Sequence, residues 1–161
     1  MVQQGEKILI YFSHDHDALD QFFVEFQHWK YKDYSIAKEH FKQFKFGLQR
    51  HIVWEEEILF PIFEKKTGLI NEGPTVVMRM EHQQIKNLLG LLHKKVQQQN
   101  PDSDEEEQSL IRVLENHNDK EEGLLYPAID QMMSLEERAL VYKKMEDIPP
   151  QAYMSCGCSC H

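Results

Sequence analysis

The stretch His51-Ile52-Val53-Trp54-Glu55-Glu56-Glu57-Ile58-Leu59-Phe60-Pro61 returns downstream as His117-Asn118-Asp119-Lys120-Glu121-Glu122-Gly123-Leu124-Leu125-Tyr126-Pro127. His, Glu-Glu, an aliphatic pair, an aromatic and Pro recur in the same order. The copies stand 66 residues apart, as do Asp15-His16-Asp17-Ala18-Leu19 and Glu81-His82-Gln83-Gln84-Ile85. Within each half, 35 residues separate the two histidines. The chain is therefore an internal duplication, and what the copies share is metal-ligand chemistry.

Helix geometry explains the spacing. At 3.6 residues per turn, positions i and i+4 lie about 40° apart and one turn along. His51 with Glu55, and His117 with Glu121, each present an imidazole and a carboxylate to one point, which is half a metal site. If the residues between His16 and His51 form two antiparallel helices and a turn, each leg is ~16 residues, or ~24 Å, and the chain returns to its starting level. All four histidines then meet at one height. The expected fold is all-α, an antiparallel up-down-up-down four-helix bundle with a short C-terminal fifth helix.

Working outward, helix one is expected from about Gly5 to Trp29, with Phe12, Leu19, Phe23 and Phe26 near the 3.6 period. Asp33 or Ser35 caps helix two, which carries Phe41, Phe44, Leu48, Ile58 and Ile62 and stops at Thr67-Gly68. Pro61 falls inside it, which predicts a kink or an altered turn. Pro74 opens helix three, whose buried stripe is Met78, His82, Ile85, Leu89 and Leu92. Ser103-Asp104-Glu105-Glu106 reads as a capping box for helix four, which runs to about Met132. Ser134-Leu135-Glu136-Glu137 reads as another, for a fifth helix ending before Pro149-Pro150. Residues 1–148 are thus expected as one bundle and 149–161 as a Cys-rich tail.

Composition bounds the rest. The chain has 161 residues, enough for one buried core. A net charge of −9 and a pI near 5.4 argue against nucleic acid or an anionic membrane as partner. Neither a transmembrane run nor a signal peptide stands out, so a cytoplasmic location is expected. The cysteines, Cys156, Cys158 and Cys160, all lie in the last six residues, which excludes a disulfide-built fold.

Burying two unpaired carboxylates in a bundle core would cost several kcal/mol each, and a cation removes that cost. Imidazole with carboxylate and no thiolate suits iron or manganese, and zinc less specifically. If each glutamate bridges two metals, four imidazoles and two carboxylates supply roughly eight of twelve octahedral positions. An oxo or hydroxo bridge fills two more, leaving about one open position per metal for a small molecule.

The doubled pattern, [Asp/Glu]-His-x-x-aliphatic followed by His-x-x-x-Glu-Glu-x-aliphatic-Leu-aromatic-Pro, resembles the hemerythrin-like (HHE cation-binding) family over residues ~5 to 132. The resemblance implies a bundle with two non-haem iron ions that handles O2, nitric oxide or peroxide, or that senses iron. By position, His16, His51, Glu55, His82, His117 and Glu121 match the family's ligand pattern. Oxygen-carrying hemerythrins have His-x-x-x-His on the third helix, whereas here Lys86 follows His82. They use His-x-x-x-x-Asp on the fourth, which makes Glu122 an alternative to Glu121. The two His-x-x-x-Glu units and the Gly73-Pro74 entry look more like the iron-sulphur cluster repair (RIC) proteins, which implies repair or iron donation as the alternative role.

Several residues stand beside this pattern. Asp20 and Lys86 are repeat mates one turn past their histidines; Asp20 is a candidate seventh ligand, and Lys86 a candidate donor to bound dioxygen or peroxide. Otherwise both belong to surface ion pairs. Cys156, Cys158 and Cys160 could bind a soft metal or supply reductant. Glu56, Glu57 and the acidic run from Asp102 to Glu107 read as solvated faces and helix caps.

Overall fold

The computed structural model describes residues 5–154, and they form an all-helical bundle with no strand among them. Four rods run up and down. The first is α1 (Ile8–Trp29). The second is α2 (Tyr34–Trp54), continued through a π-helical turn (Glu55–Leu59) into α3 (Phe60–Thr67). The third is α4 (Pro74–Gln97). The fourth is α5 (Asp104–Lys120), continued through a second π-helical turn (Glu121–Leu125) into α6 (Tyr126–Met132). A shorter helix, α7 (Leu135–Asp147), and a 3-10 turn (Pro150–Tyr153) close one end.

Local chemistry accounts for most boundaries. Asp33 accepts from the backbone N–H groups of Ser35 and Ile36, capping α2. Gly68, at φ 78°, takes the left-handed conformation that ends α3. The Ser134 box is present in full, with Glu137 N–H donating to Ser134 and Ser134 N–H donating to Glu137. The Ser103 box is not. Its hydroxyl instead donates to Glu107 Oε2 at 2.6 Å, because Glu107 is drawn inward by the buried ammonium of Lys30, also 2.6 Å away. Glu107 is therefore part of a buried ion pair, not of a solvated acidic face. Helix α1 begins at Ile8, three residues later than expected, where Asp130 of α6 accepts from the N–H groups of Ile8 and Leu9.

The expected disturbance at Pro61 lies just before it. Proline has no N–H and its ring crowds the carbonyl four residues back, here Glu57. The chain relieves this by widening the preceding turn, so that Phe60 N–H donates to Glu55 O, five residues back. Pro127 has the same effect, and Tyr126 N–H donates to Glu121 O. The duplicated sequence thus reproduces a duplicated backbone irregularity.

Packing follows the helical stripes. One apolar cluster gathers Ile8, Phe12, Trp54, Phe60, Tyr126, Ile129 and residues of α7. A second gathers Leu19, Phe23, Phe26, Phe41, Phe44, Ile85, Leu89 and Leu110. Between them the core is interrupted by a layer of buried polar side chains. Helices α1 and α2 approach closely at Gly47, where an added Cβ would sit 2.5 Å from Leu19 Cδ2. Within residues 149–153, where the tail was expected to begin, Pro149, Pro150 and Gln151 are exposed but Tyr153 is buried, and Trp54 Nε1–H donates to its hydroxyl at 2.9 Å. Cys156, Cys158 and Cys160 lie outside the described residues.

Candidate metal centre

The polar layer consists of His16 from α1, His51 from α2, His82 from α4, His117 from α5, and Glu55 and Glu121 from the two π-helical turns. All six side chains are buried, none more than 4% exposed. Donor atoms of Glu55, His82, His117 and Glu121 lie within 4.8 Å of one another, and so do those of His16, His51 and Glu121. These are two adjoining groups that share Glu121. The equal 35-residue spacings bring the histidines to one level, and the i, i+4 pairs meet there: His51 Nε2 is 3.5 Å from Glu55 Oε1, and His117 Nε2 is 3.3 Å from Glu121 Oε1.

Each imidazole is held by its other nitrogen. His51 Nδ1–H donates to Asp15 Oδ2 at 2.7 Å and His117 Nδ1–H to Glu81 Oε1 at 3.0 Å. His82 Nδ1–H donates to Glu56 Oε2 at 2.9 Å and His16 Nδ1–H to Glu122 Oε2 at 3.1 Å. A carboxylate on Nδ1 sets the tautomer and turns Nε2 inward, as metal-binding imidazoles require. The four pairs obey the 66-residue offset. Glu122 is thus placed on His16, and Glu56 is an anchoring group rather than the solvated residue its sequence context suggested. Arg50 stands 3.6 Å from Asp15, Lys86 stands 3.9 Å from Glu56, and Lys120 pairs with Glu81. Asp20 is exposed and joins neither donor group, although it is among the residues lining the small cavity, about 10 Å³, at the centre itself.

The arrangement makes electrostatic sense only around positive charge. Glu55 Oε1, Glu121 Oε2 and His82 Nε2 are buried without a hydrogen-bond partner. The Nε2 atoms of His16 and His51 face each other at 3.0 Å, lone pair toward lone pair unless a proton or a cation lies between. Burial opposes charge on His16, but the carboxylates of Glu121, Glu55 and Glu122 outweigh it and push its pKa up to about 9. His82 is likewise pushed up to about 9 by Glu55, Glu56 and Glu121, against the effect of burial. Burial and the nearby charge of Glu121 push Glu55 up. Glu121 is drawn well down, despite its burial, by hydrogen bonds from Glu55, His117 and His16. Protons therefore stand where a cation would bind. The orphaned donors and the oxygen-nitrogen set fit metal ions of borderline or hard character.

Tyr126 was not singled out by the sequence reading. Its hydroxyl lies 2.8 Å from Glu55 Oε2, 3.0 Å from Glu121 Oε1, 3.1 Å from His51 Nε2 and 3.4 Å from His16 Nε2. Burial and the two carboxylates hold its pKa well above the ordinary phenol range. Its repeat mate is Phe60, which stacks on His82 with ring centroids 5.6 Å apart and planes 13° apart. The signal was present as Phe60-Pro61 against Tyr126-Pro127.

A four-helix bundle with paired imidazoles and buried glutamates at mid-height is a metal-binding bundle. The chain belongs to the hemerythrin HHE cation binding domain family, which matches residues 8–129. It is also 35% identical over 108 residues to an uncharacterized hemerythrin-like protein of Schizosaccharomyces pombe, a match covering 65% of this chain and 51% of that protein. The chain thus spans about half the length of this curated relative. No solved structure matches it. No helix among the described residues is long and apolar enough to cross a membrane.

Proposed function

We propose that this protein holds two iron ions at the centre and binds a small molecule there, O2, nitric oxide or peroxide, for sensing, scavenging or storage. One metal would be held by His16 and His51, the other by His82 and His117, with Glu55 and Glu121 between them; manganese or zinc is the alternative load. Paired iron ions supply reversible electron transfer and open coordination positions. The chain's own residues supply orientation and exclusion. The Nδ1 carboxylates aim four imidazoles inward, and Phe44, Leu48, Ile52, Ile85 and Leu114 wall one side of the central cavity with apolar surface. That cavity, about 10 Å³, is also lined by His16, His51, Glu55, His82 and His117, so it is where the ions themselves would lie, and only a small molecule would fit beside them.

The observation that carries this reading is the set of buried donors that make no hydrogen bond, Glu55 Oε1, Glu121 Oε2 and His82 Nε2, on side chains that converge with His117 to within 4.8 Å. Deep burial of all six side chains favours retention of metal over its delivery to another protein, so binding is preferred to the iron-donor role. The acidic surface suits a partner that is small and uncharged, in the cytosol, and not nucleic acid. Metal analysis of the purified protein with absorption spectra under anaerobic and aerobic conditions tests the proposal. About two irons per chain and a spectrum that changes with O2, nitric oxide or peroxide are expected. A fully folded protein purified without metal and unable to take up iron would overturn it.

A further inference from the structure

The two halves of the centre are not equivalent, and one difference between them is a single oxygen atom inside the polar layer. Tyr126 and Phe60 are repeat mates, each one turn past a central glutamate and each just ahead of a helix-altering proline. Both are completely buried. One brings a hydroxyl into the polar layer, the other only a ring face.

The position of that hydroxyl is specific. Donors in neighbouring positions of an octahedral site with bonds of about 2.1 Å lie about 3.0 Å apart. The Tyr126 oxygen lies 2.8 to 3.4 Å from one donor atom each of Glu55, Glu121, His51 and His16. It therefore has the spacing of a further ligand to the metal they would hold. A phenol that merely satisfied a buried acceptor would need one partner. This one has four, and all are candidate ligands. At the other metal the corresponding space holds the Phe60 ring, which has no donor atom.

We infer that Tyr126 is itself a metal ligand, through its phenol oxygen, at the His16/His51 position, and that the His82/His117 position consequently keeps the open sites for the exogenous ligand. The inference rests on the proposal that two irons occupy the centre. On binding, the O–H bond of Tyr126 breaks, an oxygen–iron bond forms, and the proton leaves to solvent. Oxidation states do not change in this step.

The test uses full-length protein loaded with iron and oxidised to the ferric state with ferricyanide, in four forms: wild type, Y126F, F60Y and Y126F/F60Y. Phenolate-to-iron(III) charge-transfer absorption, with tyrosinate bands enhanced in resonance Raman spectra, is expected in the wild type and absent in Y126F. The Y126F protein should still fold, and should bind one of its two irons about tenfold more weakly. The double variant should regain the band, because residue 60 occupies the mirrored position. Azide should perturb one iron in the wild type and both in Y126F. Two bound irons with no phenolate band in the wild type would overturn this inference and leave the iron reading intact. A failure to bind iron would overturn both.

Discussion

Glu56 accepts the Nδ1–H of His82 at 2.9 Å, and the two residues come from opposite halves of the duplicated chain. The same crossing joins Glu122 to His16. His51 and His117 take their carboxylates from their own halves, Asp15 and Glu81. These four acceptors orient the imidazoles without belonging to either converging donor group. Replacing them as the amide, in D15N, E56Q, E81Q or E122Q, should lower metal affinity about 10- to 100-fold while helix content is retained. Competition with a calibrated chelator, alongside circular dichroism, measures both.

Metal uptake should depend on pH in a direction set by the imidazoles. His16 and His82 are pushed from 6.5 up to about 9 in the metal-free protein, so folding favours their charged forms. Their contribution to metal-free stability is complete below 6.5 and is lost as pH rises through 9. Metal requires them neutral, so below pH 9 each must release a proton as metal binds. Apparent affinity should rise by about tenfold per pH unit for each of the two, flattening above 9. Isothermal titration in buffers of different ionisation enthalpy counts the protons released; a count of zero at pH 7 would contradict the assignment.

The central glutamates should respond oppositely to neutralisation. Glu55 is pushed up by burial and by Glu121, so folding favours its neutral form, and E55Q should leave the metal-free form at least as stable as the wild type. Glu121 is drawn down by hydrogen bonds from Glu55, His117 and His16, so E121Q removes the charged acceptor they share and should destabilise the metal-free form. Both variants should lose the rise in melting temperature that metal gives the wild type. Urea unfolding with and without metal separates the two effects.

Close packing of α1 on α2 predicts a sharp contrast between two glycines. G47A puts a methyl group 2.5 Å from Leu19 Cδ2 and should cost about 1–3 kcal/mol. At Gly123 nothing lies within 4 Å of an added Cβ, and G123A should be neutral or stabilising by up to about 1 kcal/mol. Equal effects of the two substitutions on the urea midpoint would mean that α1 and α2 do not approach closely at Gly47.

The bundle and the meeting of His16, His51, Glu55, His82, His117 and Glu121 were legible in the sequence because two equal spacings on a 3.6-residue period leave little freedom. The anchoring carboxylates were written in the same repeat, yet their roles were not, since nothing local says that Glu56 will reach a helix 26 residues on. Tyr126 was hidden for a similar reason. A widened turn brings residue i+5 beside Glu121, and helical periodicity alone does not anticipate that register. Ser103 and Glu107 departed from expectation because a buried Lys30 outcompeted a backbone cap. Burial of Tyr153 depended on Trp54, a partner 99 residues away.

The crossed pairs His16–Glu122 and His82–Glu56 also bear on how such a molecule could have arisen. A peptide of one half alone would leave its first histidine with no acceptor, but two identical peptides related by a dyad would each supply the other's missing group. Fusion in tandem would then cost the centre nothing, and would free a single position, 60 or 126, to diverge without its counterpart having to follow.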